Sequence, residues 1–164
     1  MEIKRKMTVE IERKFLVNGN CDYKTQSIGV SYIVQGYLCK NPAHTVRIRI
    51  RDDKGYITIK GISSDDGTSR FEWEKAIDVE EARALLSLCQ PTILEKKRHL
   101  VPCGKHIFEV DEFLGANRGL VLAEIELKTP DEPFERPAWL GREVTGDAAY
   151  YNAALSHPTQ NHCP

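Results

Sequence analysis

From Val46 to Arg51 the chain alternates without a break, Val46, Ile48 and Ile50 in one phase and Arg47, Arg49 and Arg51 in the other. Successive side chains of a β-strand point to opposite faces, so this period of two dictates a strand with one oily face and one charged face. The pattern recurs along the chain. Residues 8–17 set Ile11, Phe15 and Val17 against Glu10, Glu12 and Lys14, and residues 56–61 set Ile57 and Ile59 against Thr58 and Lys60. Residues 70–77 set Phe71, Trp73 and Ile77 against Glu72 and Glu74. After a break, residues 92–101 carry Lys96 and Arg98 in phase, and residues 106–113 oppose Phe108 and Val110 to Glu109 and Asp111. Residues 120–128 oppose Val121, Ala123, Ile125 and Leu127 to Glu124 and Glu126. With residues 31–39 this makes eight expected strands. Turn-forming clusters at Asn41-Pro42, Asp53-Lys54-Gly55, 61–69 and Pro102-Cys103-Gly104 punctuate them.

Strands of this kind usually turn the oily face to a core and the charges to water. The charged faces here argue otherwise, because they are sorted by sign. Glu10/Glu12, Glu72/Glu74 and Glu124/Glu126 are acidic pairs, whereas Arg47/Arg49 and Lys96/Arg98 are basic pairs. Two carboxylates about 5 Å apart repel by about 3 kcal/mol at an effective dielectric near 20. Solvated strands avoid that by mixing signs. Repeated acidic pairs make sense with cations between them, and basic pairs with a polyanion between them. The expected fold is therefore mainly β, an eight-stranded antiparallel barrel whose charged face lines a tunnel and whose apolar face is wrapped from outside.

Two helices are expected as parts of that wrapping. Asp78 can cap a helix over 79–89, with Glu81 in the reciprocal capping position, and Asp147 can cap one over 147–155. Trp139 and Leu140 read as a plug packed on the barrel. One domain spanning 1–164 is expected, with His157 to Pro164 as a frayed tail.

With 23 Lys plus Arg against 24 Asp plus Glu, the net charge of −1 argues against a nucleic-acid backbone as the main partner. No apolar run reaches the roughly 18 residues that cross a bilayer, and the basic N-terminus has no apolar stretch behind it, so no membrane partner is expected. Cys21, Cys39, Cys89, Cys103 and Cys163 are scattered, with no Cys-x-x-Cys pair, as in reduced cytoplasmic proteins. His44, His99 and His106 lack metal-ligand spacing and read as surface or structural residues.

The inventory of the tunnel is that of phosphoryl transfer. Glutamate oxygens are hard ligands suited to Mg²⁺ or Mn²⁺. Arg47 and Arg49 can grip phosphate oxygens bidentately, while Lys14, Lys60 and Lys96 supply compact charge. No Walker A sequence is present, so the chemistry is not that of a P-loop.

Glu10-Ile11-Glu12-Arg13-Lys14 resembles the ExExK signature of the CYTH superfamily, also called triphosphate tunnel metalloenzymes. Gln35-Gly36-Tyr37-Leu38, Val46-Arg47-Ile48-Arg49, Thr58-Ile59-Lys60, Glu72 and Glu74, Lys96-Lys97-Arg98, and Val110-Asp111 fit the same pattern in order. So do Gly119-Leu120, Ala123-Glu124-Ile125-Glu126-Leu127, Glu143-Val144-Thr145 and Tyr151-Asn152, extending the likeness over 8–158. The resemblance implies Glu10, Glu12, Glu124 and Glu126 as metal ligands, with Asp111, Glu72 and Glu74 supporting a metal site or a water. It implies Lys14, Arg47, Arg49, Lys60, Lys96 and Arg98 as ligands of a small-molecule triphosphate. Lys96, crowded by Arg98 and Lys60 and hydrogen-bonded to Tyr37, is a candidate general base, with phosphate binding as its default role. Lys97 is expected to face outward, and Glu109 receives no role.

The inorganic triphosphatase branch is the most similar, which implies hydrolysis of tripolyphosphate. The alternatives are a CYTH adenylyl cyclase, a thiamine triphosphatase and a non-catalytic polyphosphate-binding module.

Overall fold

A computed structural model describes residues 7–19, 22–89 and 93–156. The expected frayed tail from His157 lies outside the described residues. The chain runs β1 (Met7–Val17), α1 (Asp22–Gln26), β2 (Gly29–Asn41), β3 (His44–Arg51), β4 (Lys54–Ser63), β5 (Ser69–Ile77) and α2 (Val79–Leu86). It continues through β6 (Leu94–Cys103), β7 (His106–Phe113), β8 (Val121–Glu126), β9 (Leu140–Glu143) and α3 (Asn152–Leu155), with short 3-10 turns at Gly115–Asn117 and Ala148–Tyr150.

Every ladder is antiparallel, in the order β5-β4-β3-β2-β6-β7-β8-β1, and β1 closes the sheet by pairing with β5. The result is the expected eight-stranded barrel, in which closure removes the exposed edges. Strand β1 does the closing by dividing its length. Met7 to Ile11 pair with β5, and Glu12 to Leu16 pair with β8. The short ninth strand, not expected from the sequence, joins β1 at Phe15 and Val17. Four residues without alternation carry no readable strand signal.

The oily faces point outward, as the sorted charges required. Phe15, Val101, Phe108, Val110, Ala123 and Ile125 are fully buried on the outer wall, beneath Tyr23 of α1 and Trp139. Burying each of these valine, isoleucine and phenylalanine side chains contributes about 1.5–3 kcal/mol. Phe108 and Trp139 meet edge to face at 5.4 Å, so Trp139 does pack on the barrel as expected. Helix α2 covers β3 and β4 from outside. Asp78 and Glu81 form the anticipated capping box. Gly55 makes that approach possible, because a Cβ there would lie 2.8 Å from Cβ of the buried Ala82.

One feature of the interior departs from the expected open tunnel. Leu94, Phe113 and Leu122, with Leu16, occupy the same strand phases as the charged residues and cluster with Val144 and Leu155. These apolar groups pack inside the barrel at one end. The segment 147–155, expected as a covering helix, splits into a 3-10 turn and the four-residue α3, and Tyr151, Asn152, Ala153 and Ala154 border the cavity. It therefore caps the interior instead of wrapping the exterior. The cap is docked at Gly67, in left-handed backbone (φ 76°), where a Cβ would lie 2.3 Å from Cα of Gly146.

Candidate active site

The barrel encloses a cavity of about 740 Å³, enough for a small polyanion with its hydration. Of the residues singled out from the sequence, Glu10, Glu12, Lys14, Tyr37, Arg47, Arg49 and Lys60 line it. Glu72, Glu74, Lys96, Arg98, Glu124 and Glu126 line it as well. Asp111 is 1 % exposed and forms ion pairs with both Lys96 and Arg98. Lys97 is exposed, as its phase requires.

The acidic wall is built by β1, β5 and β8. Glu12 is the direct cross-strand partner of Glu126, and Lys14 of Glu124. Glu10 meets Lys60 at 2.6 Å, and Lys14 meets Glu124 at 3.5 Å. Burial would raise the pKa of Glu10, but Lys60 outweighs it and brings the group below the usual carboxylate range. Glu124 is likewise held well below that range by Lys14, Arg98, Lys96 and Lys60 against the cost of burial. Glu12 is the exception. Burial, then the charges of Glu124 and Glu10, push it up to about 8. It is a carboxylate that the protein's own cations do not balance.

That imbalance bears on whether a divalent cation fits. The donors on this wall are carboxylate oxygens, the hard ligands that Mg²⁺ or Mn²⁺ prefers, and they carry more negative charge than the neighbouring lysines neutralise. As the side chains stand, no three acidic, thiol or imidazole groups among the described residues converge on one point. Glu10 is drawn to Lys60 and Glu124 to Lys14. In charge and chemistry the wall fits a dication.

The basic wall comes from β2, β3, β4 and β6. Arg49 Nη2 and Thr58 Oγ1 both donate to Glu74 Oε2, at 3.2 and 2.8 Å, and Arg47 Nη2 donates to Thr58 Oγ1 at 3.2 Å. The sequence grouped Glu74 with Glu72 and the acids; the structure makes it a counter-ion shared by the two arginines. Nε of Arg47 and Nε of Arg49 are buried and have no hydrogen-bond partner among the described residues. An unmet buried donor costs about 1–3 kcal/mol, so both guanidinium groups are under-satisfied. Burial and the charges of Arg47 and Arg98 bring Arg49 down to about 9, still protonated at neutral pH.

Lys96 is 1 % exposed, with Nζ 2.8 Å from Asp111 Oδ2 and 2.9 Å from Asn152 Oδ1. The expectation had Tyr37 in that place. Tyr37 lines the same cavity, but the hydrogen bonds of Lys96 go to Asn152 and Asp111. Burial, more than the neighbouring Arg98, pushes Lys96 down to about 8 against the pull of Asp111. Asp111 in turn is held low by Arg98 and Lys96, despite burial, and so acts here as a counter-ion.

Sequence reasoning did not find two contacts. Asn152 reaches Lys96 from the C-terminal cap, a contact between residues 56 positions apart that no local pattern encodes. Glu109, in phase with Asp111, forms an ion pair with Arg98.

The chain is similar to known proteins over nearly its whole length. The model of the CYTH domain family matches residues 8–152. An inorganic triphosphatase of Acetivibrio thermocellus is 46% identical over 157 residues, covering 94% of this chain and 98% of that protein. One of Nitrosomonas europaea is 36% identical over 153 residues, covering 90% and 96% respectively. The crystal structure of an inorganic triphosphatase superposes with a TM-score of 0.65 at 32% identity, covering 92% of this chain and 95% of that one.

Proposed function

The chain belongs to the CYTH domain family, and from that premise we propose that it is an inorganic triphosphatase, a metal-dependent hydrolase of the terminal phosphoanhydride of tripolyphosphate. The two relatives matched over nearly their whole length are both named inorganic triphosphatases. The observation that supports it most directly is the division of one enclosed cavity into a carboxylate wall and a guanidinium wall. Triphosphate needs both, cations of the protein for its oxygens and carboxylates to hold the metal that accompanies it.

In this reading Arg47 and Arg49 bind and orient the phosphate chain, because their unpaired Nε donors gain acceptors that they otherwise lack. Lys14 and Lys60 give up part of their pairing with Glu124 and Glu10 to do the same. Glu10, Glu12, Glu124 and Glu126 would hold Mg²⁺ or Mn²⁺, supported by Glu72 beside Glu10. A bound dication would supply charge neutralisation of the phosphate oxygens and orientation of the attacking water. Lys96, aimed by Asp111 and Asn152 and lowered in pKa by burial, takes up the water's proton. Asp111 and Glu74 keep Lys96, Arg98, Arg47 and Arg49 in place. Tyr37 lies on the same wall within the cavity.

Cytoplasmic location is part of the same reading, supported by the free thiols of Cys39, Cys89 and Cys103. No helix among the described residues is long and apolar enough to cross a membrane.

The test offers purified protein tripolyphosphate, thiamine triphosphate and ATP with Mg²⁺ or Mn²⁺, and repeats each with EDTA. Orthophosphate released fast from tripolyphosphate, and abolished by EDTA, is the expected result. Cyclic AMP as the main product would mean a cyclase, and tight binding without turnover a polyphosphate-binding module.

A further inference from the structure

Arg98 differs from the other cations around the cavity in being surrounded by carboxylates. Its Nε and Nη2 donate to the two oxygens of Asp111, at 2.7 and 2.8 Å, a fork-to-fork pair. Its Nη1 meets Oε2 of Glu109, and Nη2 lies 4.0 Å from Glu124. These carboxylates are not equally free to leave. Asp111 is buried and also bound by Lys96. Glu109 lines the cavity with its side chain 37 % exposed. It also stands directly across the β7–β8 ladder from Glu124, a like-charge pair that disfavours its present position. Among the described residues Arg98 is the cation in direct contact with Glu109, while Glu124 is also paired with Lys14.

A carboxylate and a phosphate accept from a guanidinium edge in the same geometry. We propose that Glu109 is a positioning residue that occupies the Nη1 edge of Arg98 and yields it to a phosphate group, and so sets how tightly phosphate anions are held. This rests on reading the cavity as a triphosphate site. Glu109 would weaken the binding of tripolyphosphate and of its product pyrophosphate through one and the same contact. A water-excluding basic wall retains product anions as readily as it captures substrate. A competing carboxylate attached to the wall lowers both affinities and speeds release.

The test is a calorimetric titration of the full chain in EDTA with tripolyphosphate and with pyrophosphate, comparing wild type, Glu109→Gln and Glu109→Asp. Removing the charge at constant size should tighten both anions roughly tenfold, the scale of one charge-assisted contact. Glu109→Asp, which keeps the charge but lacks the reach, should tighten them by less. In turnover with metal, Glu109→Gln should show a lower KM and stronger inhibition by pyrophosphate. Unchanged or weaker anion binding in Glu109→Gln would overturn the proposal, since a residue that merely props Arg98 in place has that effect. If wild type binds neither anion in EDTA, and pyrophosphate not even with Mg²⁺ added, the triphosphate reading itself fails and this inference with it.

Discussion

Glu12 on β1 faces Glu126 on β8 directly across an antiparallel ladder, and both side chains border the cavity. Like charges so placed ordinarily destabilise a sheet. Glu126 is exposed to solvent, whereas Glu12 is pushed up to about 8 by burial and then by Glu124.

A pH dependence follows, with a definite sign. Glu12 binds a proton in the folded state throughout the window between its ordinary value of 4.5 and about 8, whereas the unfolded chain does not. Its contribution to stability is thus full below the ordinary carboxylate range and is lost as pH rises through about 8. Thermal unfolding in EDTA should show a Tm that falls between pH 6 and pH 8. Added Mg²⁺ should flatten that slope, because a dication takes over from the proton. Equal slopes with and without metal would show that the acidic wall does not bind it.

The orphaned Nε groups of Arg47 and Arg49 give a binding prediction. Arg49→Ala should raise KM for tripolyphosphate by about 10- to 100-fold, or about 1.4–2.7 kcal/mol, as expected for loss of a charge-assisted bidentate contact. Arg49→Lys should recover little of it, since an ammonium lacks the planar fork. Steady-state kinetics with saturating metal reads both values. A normal KM in Arg49→Ala would remove the arginine from the binding role.

These side-chain directions were legible in the sequence because a period of two leaves no freedom. If Ile48 faces out, Arg47 and Arg49 face in, and the sign sorting says which face is enclosed. The same periodicity conceals the apolar plug. Leu16, Leu94, Phe113 and Leu122 share the inward phase with Lys14, Lys96, Asp111 and Glu124, so phase alone cannot tell tunnel wall from stopper. What distinguishes them is axial position, set by register and by where α3 returns. The contacts of Lys96 with Asn152 and of Arg98 with Glu109 depend on that same three-dimensional placement. In the sequence, Asp147 as a helix cap and the resemblance at Tyr151-Asn152 mark the segment, but neither encodes its place over the cavity.

Lys96 offers a separation of binding from chemistry. Replacing it with Ala removes the amine held between Asp111 and Asn152. Turnover should be abolished while tripolyphosphate still binds by calorimetry, because Arg47, Arg49, Lys14 and Lys60 remain. If binding and turnover fall together, Lys96 is a phosphate ligand and not the base.

In the proposed reading the acids of β1 and β8 and the arginines of β3 serve one bound assembly of metal and phosphate. A crystal grown with Mn²⁺ and pyrophosphate, measured for anomalous scattering, tests it most directly. The expected result is manganese density coordinated by oxygens of Glu10, Glu12, Glu124 or Glu126, with phosphate oxygens against Arg47 and Arg49. Manganese confined to the outer surface, or pyrophosphate bound outside the barrel, would contradict it.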